Sequence, residues 1–131
     1  MSLSFVWYSN EYRTEKEILD FAVTLNGEIQ ELGSFLQCAI TRKDEIIWVM
    51  DNENFLSELE KEDYQELKKH EVYPKSSAVI EIGLNSKGMR SILLARWFCK
   101  KLLLEYPESV IMAFDKYYSY NTVEDIPCSY E

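Results

Sequence analysis

Apolar and polar positions along the chain follow two spacings, one typical of strands and one typical of helices. Short β-branched and aromatic runs between turn residues predict strands at residues 3–8, 35–41, 45–50, 78–82 and 110–114. Helical spacing predicts a helix that begins after a capping box at Thr14, a second over residues 51–69 that breaks near Glu60, and a third over residues 89–105. The segment at residues 28–34 is ambiguous. The predicted order is therefore β-α-β-β-α-β-α-β.

The strand at residues 78–82, the helix at 89–105 and the strand at 110–114 form the unit around which the rest of the chain is predicted to pack. Such a crossover can lay its two strands parallel, with the helix across one face. The first six elements also have the split βαβ order of a ferredoxin-like fold. We therefore expect a single α+β domain over residues 1–131, with a mixed β-sheet and helices mainly on one face.

Charge narrows the partners that the chain could bind. Of its 131 residues, 23 are acidic and 14 are basic, which gives a formal net charge of −9. This charge repels phosphate backbones and anionic lipid, so we expect a basic protein partner, no nucleic acid and no membrane. The alternative is an acidic surface that only keeps the protein in solution.

The start of the chain and its cysteines suggest where the protein resides. The N-terminal residues lack the basic region and apolar core of a signal peptide, and no apolar run reaches the length of a membrane span. The three cysteines form no CxxC pair. We therefore expect a cytoplasmic location.

Acidic residues are concentrated in the predicted helix over residues 51–69. They are Asp51, Glu53, Glu58, Glu60, Glu62, Asp63 and Glu66. Repulsion between like charges four residues apart destabilises a helix, whereas the same charges speed encounter with a basic partner. We select four of them as candidate partner-binding residues: Glu58, Glu62, Asp63 and Glu66. A solvated face with no partner is the alternative.

Aromatic residues provide a second group of candidates. In the helix at residues 89–105, Leu93, Trp97 and Leu104 lie opposite the side expected to pack on the sheet. They are covered by another helix, by the tyrosine-rich C-terminal segment, or by a partner, including a second copy in a homodimer. We add Trp97 and three tyrosines of that segment to the candidate partner-binding residues: Tyr117, Tyr118 and Tyr120.

The turn that starts at Gly83 and ends at Ser91 is the main candidate for small-molecule chemistry. It follows a strand and opens a helix, but Met89 stands where a phosphate-binding loop has lysine. The stretch at residues 85–90 resembles the acetyl-coenzyme A loop of GNAT acetyltransferases, with Asn85 in place of the first residue and Arg90 in place of a small one. That resemblance implies a small acetyltransferase-like enzyme as an alternative function.

Other catalytic and metal patterns are weak in this sequence. His70, the only histidine, follows an acidic helix, and no nucleophile lies near it in the sequence, although Cys99 could approach it in the fold. The residues at 51–54 suggest calcium, yet the glycine and final glutamate of an EF-hand loop are absent in register. We assign no catalytic residue and no metal site, and we expect no cofactor.

The last part of the chain has a strand that ends in Asp115 and a tail at residues 120–125 that contains Tyr120, Thr122 and Glu124. These features resemble the ends of some small bacterial immunity proteins. In such families an acidic surface often covers the basic catalytic cleft of a toxin in the cytoplasm. The resemblance implies a protein-binding domain that neutralises a cognate toxin. An enzyme, or a homo-oligomeric structural or regulatory module, is the alternative.

Overall fold

The strands form one seven-stranded sheet in a computed structural model that describes residues 3–83 and 88–128. The strands are β1 (Leu3–Ser9), β2 (Glu28–Leu32), β3 (Phe35–Arg42), β4 (Glu45–Asp51), β5 (Ser76–Ile82), β6 (Ser109–Ala113) and β7 (Lys116–Tyr118). The helices are α1 (Glu15–Thr24), α2 (Lys61–Lys69) and α3 (Gly88–Glu105), and two short 3₁₀ helices are η1 (Glu53–Glu58) and η2 (Val123–Asp125). The order across the sheet is β2-β3-β4-β5-β1-β6-β7.

The predicted α+β class is confirmed, but the prediction of a mixed sheet is wrong. All six pairings are antiparallel. Helix α3 does carry the chain from β5 to β6, and these two strands run in the same direction. They are not neighbours, because β1 lies between them and pairs antiparallel with both, as at Phe5 with Ile80 and at Tyr8 with Val110.

The predicted ferredoxin-like order is also wrong. That order would place β1 between β4 and β5, whereas β4 and β5 pair directly, as at Val49 with Ile80. Two strands that were not predicted complete the sheet. The ambiguous segment becomes β2, which joins β3 through a turn with Gly33 at a φ of 65°. The three residues of β7 extend the opposite edge.

Helices cover both faces of the sheet, and the alternation of side chains in β1 separates the two cores. Phe5 and Trp7 are fully buried on the face that carries α1 and α3, where the main core lies. Tyr8 lies on the other face in a smaller cluster with Leu67 of α2 and Val72. The prediction of helices mainly on one face holds for α1 and α3, while α2 lies on the opposite face.

Local capping signals place the helix boundaries where the sequence predicts them. The Thr14 side chain accepts a hydrogen bond from the Glu17 backbone N–H, and the Glu17 carboxylate accepts one from the Thr14 backbone N–H. These two bonds form the predicted capping box of α1. The helix predicted to break near Glu60 does so, because Leu59 is extended and Glu60 begins a second capping box with Asp63. This break sets α2 apart from η1 and fixes the position of its acidic side chains.

Candidate functional site

An acidic cleft of about 300 Å³ lies where α2 meets β1 and the β6–β7 hairpin. Its lining residues are Tyr8, Leu59, Asp63, Glu66, Met112, Asp115 and Tyr117. Helix α2 buries only Leu67, which anchors it to the sheet in the smaller core. Its other side chains therefore stay available at the surface, and two of its carboxylates form one wall of the cleft.

Two tyrosines from different strands lie on the sheet side of the acidic cleft. Tyr8 of β1 is only 6% exposed, and Tyr117 of β7 is half-buried. Burial, reinforced by the neighbouring Tyr117 and the charge of Asp63, raises the pKa of Tyr8 to about 12. Burial also raises the pKa of Tyr117, with smaller contributions from Asp63 and Glu66. Both phenols therefore keep their protons at neutral pH and can donate as well as accept hydrogen bonds.

Three carboxylates give the cleft its charge. Asp63 uses Oδ2 to accept from the Glu60 backbone N–H at 3.0 Å. Glu66 pairs with Lys69 at 2.8 Å, and this contact lowers the pKa of Glu66 below its usual value. Asp115 makes no hydrogen bond or ion pair with the residues that the structure describes. Because the side chains of both Glu66 and Lys69 are exposed, an incoming cation can replace Lys69 easily.

Asp115 is held at the cleft by a strained turn. Phe114 and Asp115 connect β6 to β7, and both have left-handed backbone, with φ of 49° and 62°. A two-residue hairpin turn with this geometry normally contains asparagine and glycine. The ring of Phe114 packs edge-on against Phe5 at 5.7 Å, which offsets part of the cost. Phe114 therefore belongs to the turn, although the sequence predicted it as the end of a strand.

The structure brings together some of the predicted partner-binding residues. Asp63, Glu66 and Tyr117 line the same cleft, and Glu58 and Glu62 are exposed nearby in η1 and α2 without lining it. Tyr8 and Asp115 were not among the residues predicted from the sequence. Only the alternation of β1 pointed to Tyr8, and the turn at Asp115 lacks the usual asparagine and glycine.

Two other predicted residues, Trp97 and Tyr120, lie on the opposite face of the molecule. They line a groove of about 280 Å³ on the outer side of α3, which we call the α3 groove. The remaining lining residues are Lys100, Lys101, Leu104 and Glu124. This surface is amphipathic and is separated from the acidic cleft by the whole thickness of the sheet.

The C-terminal segment folds over α3, which is one of the coverings that the sequence left open. Arg96 donates hydrogen bonds to the carbonyl oxygens of Glu124 and Ile126 at 3.0 and 3.1 Å. Lys100 pairs with the Glu124 carboxylate at 2.6 Å. The covering is incomplete, because Leu104 remains 60% exposed.

Tyr118 lies in the main core, unlike the other selected tyrosines. It is 8% exposed and belongs to the cluster that contains the buried side of α3. Because neighbouring residues of a strand alternate between faces, Tyr117 reaches the acidic cleft and Tyr118 the opposite side. Packing in the core explains the burial of Tyr118, and we leave this residue out of the proposed contact surface.

The fold separates the two groups that could have formed a Cys–His pair. Cys99 is fully buried in the main core, and burial raises the pKa of its thiol. His70 is exposed at the end of α2 on the other face. Cys38 is also buried, which, together with Glu28, raises the pKa of its thiol to about 11. These thiols are therefore poorly placed to act as nucleophiles.

The described residues include only part of the predicted acetyl-coenzyme A loop and no cluster suited to a metal ion. Residues 84–87 of the turn that ends at Ser91 lie outside the described residues, so the acetyl-coenzyme A loop stays a prediction. Within residues 3–83 and 88–128, no cluster of three or more histidine, cysteine or acidic side chains is arranged to hold a metal ion.

Comparison with known proteins adds no further identification. No protein-family model, curated protein sequence or solved structure matches this chain. Over the described part of the chain, none of the helices has both the length and the apolar character needed to cross a bilayer. The inferences about function therefore depend on the geometry and charge of the acidic cleft.

Proposed function

We propose that this chain is a protein-binding domain that receives a basic surface of another protein on the face that carries α2. The observation that supports this proposal is the convergence of Asp63, Glu66 and Asp115 with two protonated tyrosines in one cleft. Carboxylates beside tyrosines combine charge with rigid, amphipathic contact area, which suits an interface.

Charge and shape contribute to different steps of binding. The net charge of −9 and the exposed Glu58 and Glu62 attract a basic partner at long range and speed its encounter. The partly buried cleft then provides the close contacts that slow dissociation. Binding of this kind needs no cofactor and no reactive side chain.

The class of partner that fits best is a toxin with a basic catalytic cleft. The resemblance of the C-terminal part to small bacterial immunity proteins supports this choice, as does the concentration of acidic residues on one face. The protein would act in the cytoplasm by covering the toxin's active site. Occlusion requires one inhibitor for each toxin molecule and no turnover.

A capture experiment tests the proposal. The purified chain is used as bait in a lysate of its host at about 50 mM and about 500 mM salt, and bound proteins are identified by mass. One variant carries Glu58→Lys with Glu62→Lys on the acidic face. Its matched control carries Glu28→Lys with Glu31→Lys on β2, which changes the net charge equally.

We expect one basic protein that is released by high salt, lost by the variant on the acidic face and retained by the β2 control. Its co-expression with the chain should then restore growth that the partner alone inhibits. Capture that is indifferent to salt, or lost equally by both variants, would contradict the proposal. Circular dichroism confirms that each variant is folded.

A homodimer through the α3 groove is the competing proposal, because Leu104 is 60% exposed beside Trp97. Light scattering distinguishes the two. A mass of 15.5 kDa over a wide range of concentrations would exclude self-association through this surface. A mass twice as large that falls with Leu104→Ser would support it.

A further inference from the structure

We infer that the acidic cleft holds one arginine side chain of the partner, an inference that rests on the proposed function. The cleft lies between β1, α2 and the β6–β7 hairpin, and its volume of about 300 Å³ is at the lower end for a ligand pocket. That size suits one long side chain better than a peptide segment or a folded element. The residues that line the cleft indicate where the stem and the guanidinium of that arginine would lie.

The apolar part of the cleft fits the stem of an arginine. Leu59 lies at the break between η1 and α2, and Met112 lies on β6, where it pairs with Tyr117. Both belong to the smaller core and are only partly buried. Long cationic side chains bury their methylene groups on such surfaces and keep the charged end beside polar groups.

The carboxylates fit the guanidinium. Asp63 and Glu66 come from successive turns of α2, and Asp115 comes from the hairpin turn. Asp63 uses one oxygen in its capping box and keeps the other, and Asp115 has both oxygens without a partner among the described residues. A guanidinium offers five N–H donors in a planar fork, enough to reach acceptors from two directions.

Tyr8 is an independent indication that a ligand completes this site. The residue is 94% buried and lines the cleft, yet its hydroxyl makes no hydrogen bond within residues 3–83 and 88–128. Because Tyr8 lines the cleft, this hydroxyl is available to a ligand that enters it. Its oxygen can accept an N–H from the same guanidinium that the carboxylates bind.

Arginine fits better than lysine because of the aromatic group and the spread of the acceptors. The ring of Tyr117 lines the cleft and is itself packed against the ring of His70 at 5.5 Å. A planar guanidinium stacks on such a ring and still uses its edge for hydrogen bonds, whereas an ammonium is a compact point charge. The site therefore discriminates between the two basic side chains.

The test is an NMR titration of the intact chain with N-acetyl-arginine amide, alongside the lysine analogue and the neutral citrulline analogue. The expected result is saturable shifts of cleft residues, with a dissociation constant on the order of 1–10 mM for the arginine probe. Weaker binding is expected for lysine, and none for citrulline. Asp115→Asn should weaken arginine binding about tenfold.

Tyr8→Phe should also weaken binding of the arginine probe. Glu31→Gln, exposed on β2 at the opposite edge of the sheet, should leave that binding unchanged. No shift at about 100 mM probe, or equal binding of citrulline or lysine, would overturn the inference. The outcomes are separable from those of the capture experiment. A salt-sensitive partner without probe binding would refute only the arginine site, and probe binding without any partner would refute only the proposed function.

Discussion

The rings of Tyr117 and His70 lie 5.5 Å apart, centroid to centroid, at an angle of 38°. This contact joins the end of α2 to the edge strand β7 and orients Tyr117 beside the carboxylates of α2. A contact between an edge strand and a helix C-terminus thus shapes the acidic cleft. The cleft depends on the position of α2, and several substitutions test that dependence.

Asp115→Gly should increase the stability of the fold. Asp115 has a φ of 62°, which glycine adopts without steric cost, so the substitution should add about 0.5–1 kcal/mol to the free energy of unfolding. Urea denaturation measures this change. The same variant should bind the basic partner less well, because the cleft loses a carboxylate. A loss of stability would show that Asp115 makes favourable contacts in the native turn.

Alkaline pH should destabilise the protein through Tyr8. Because the folded-state pKa of Tyr8 is raised to about 12, the native state holds this proton more tightly than the unfolded state does. The stabilisation is complete below the unfolded pKa of about 10 and is lost as the pH rises toward 12. In denaturant titrations from pH 9 to 12, the free energy of unfolding should therefore decline less steeply with pH in Tyr8→Phe than in the wild type.

Equal declines in the two proteins would contradict this assignment. Tyr117 and Tyr106 also have raised pKa values and contribute to the decline in both proteins. The difference between wild type and Tyr8→Phe isolates Tyr8 from them.

Arg96→Met should loosen the C-terminal segment. The substitution keeps much of the side-chain length but removes the donors to Glu124 and Ile126, which should cost about 1–2 kcal/mol. In limited proteolysis, cleavage near the C-terminus should become faster. This increase should be larger than the fall in the unfolding midpoint accounts for. Lys101→Met, on the exposed side of the same helix, is the matched control and should change neither. Equal effects of both substitutions would contradict the assigned contacts.

Local patterns in the sequence predicted local structure well. The two faces of β1, the capping box at Thr14 and the break near Glu60 all depend on residues close in the chain, and all are found. The sequence was therefore enough to predict which segments are helices or strands and which face each side chain of a strand occupies. The α+β class followed from the same features.

Strand order and the composition of the cleft were not readable from the sequence, for two physical reasons. Pairing joins distant segments, so nothing local indicated that β1 would lie between β5 and β6. The turn at Phe114 and Asp115 uses residues that rarely adopt left-handed backbone, so β7 was not predicted. Tyr8 joined the cleft only because α2 crosses to its face.

The most direct test of the central claim is the affinity of the chain for its captured partner, measured by calorimetry across a series of salt concentrations. We predict that affinity falls at least about tenfold between about 50 and about 500 mM salt, and that Glu58→Lys with Glu62→Lys lowers it by a similar factor at low salt. The Glu28→Lys with Glu31→Lys control should bind nearly as the wild type does. Affinity that is independent of salt and equal in both variants would contradict binding through the acidic face.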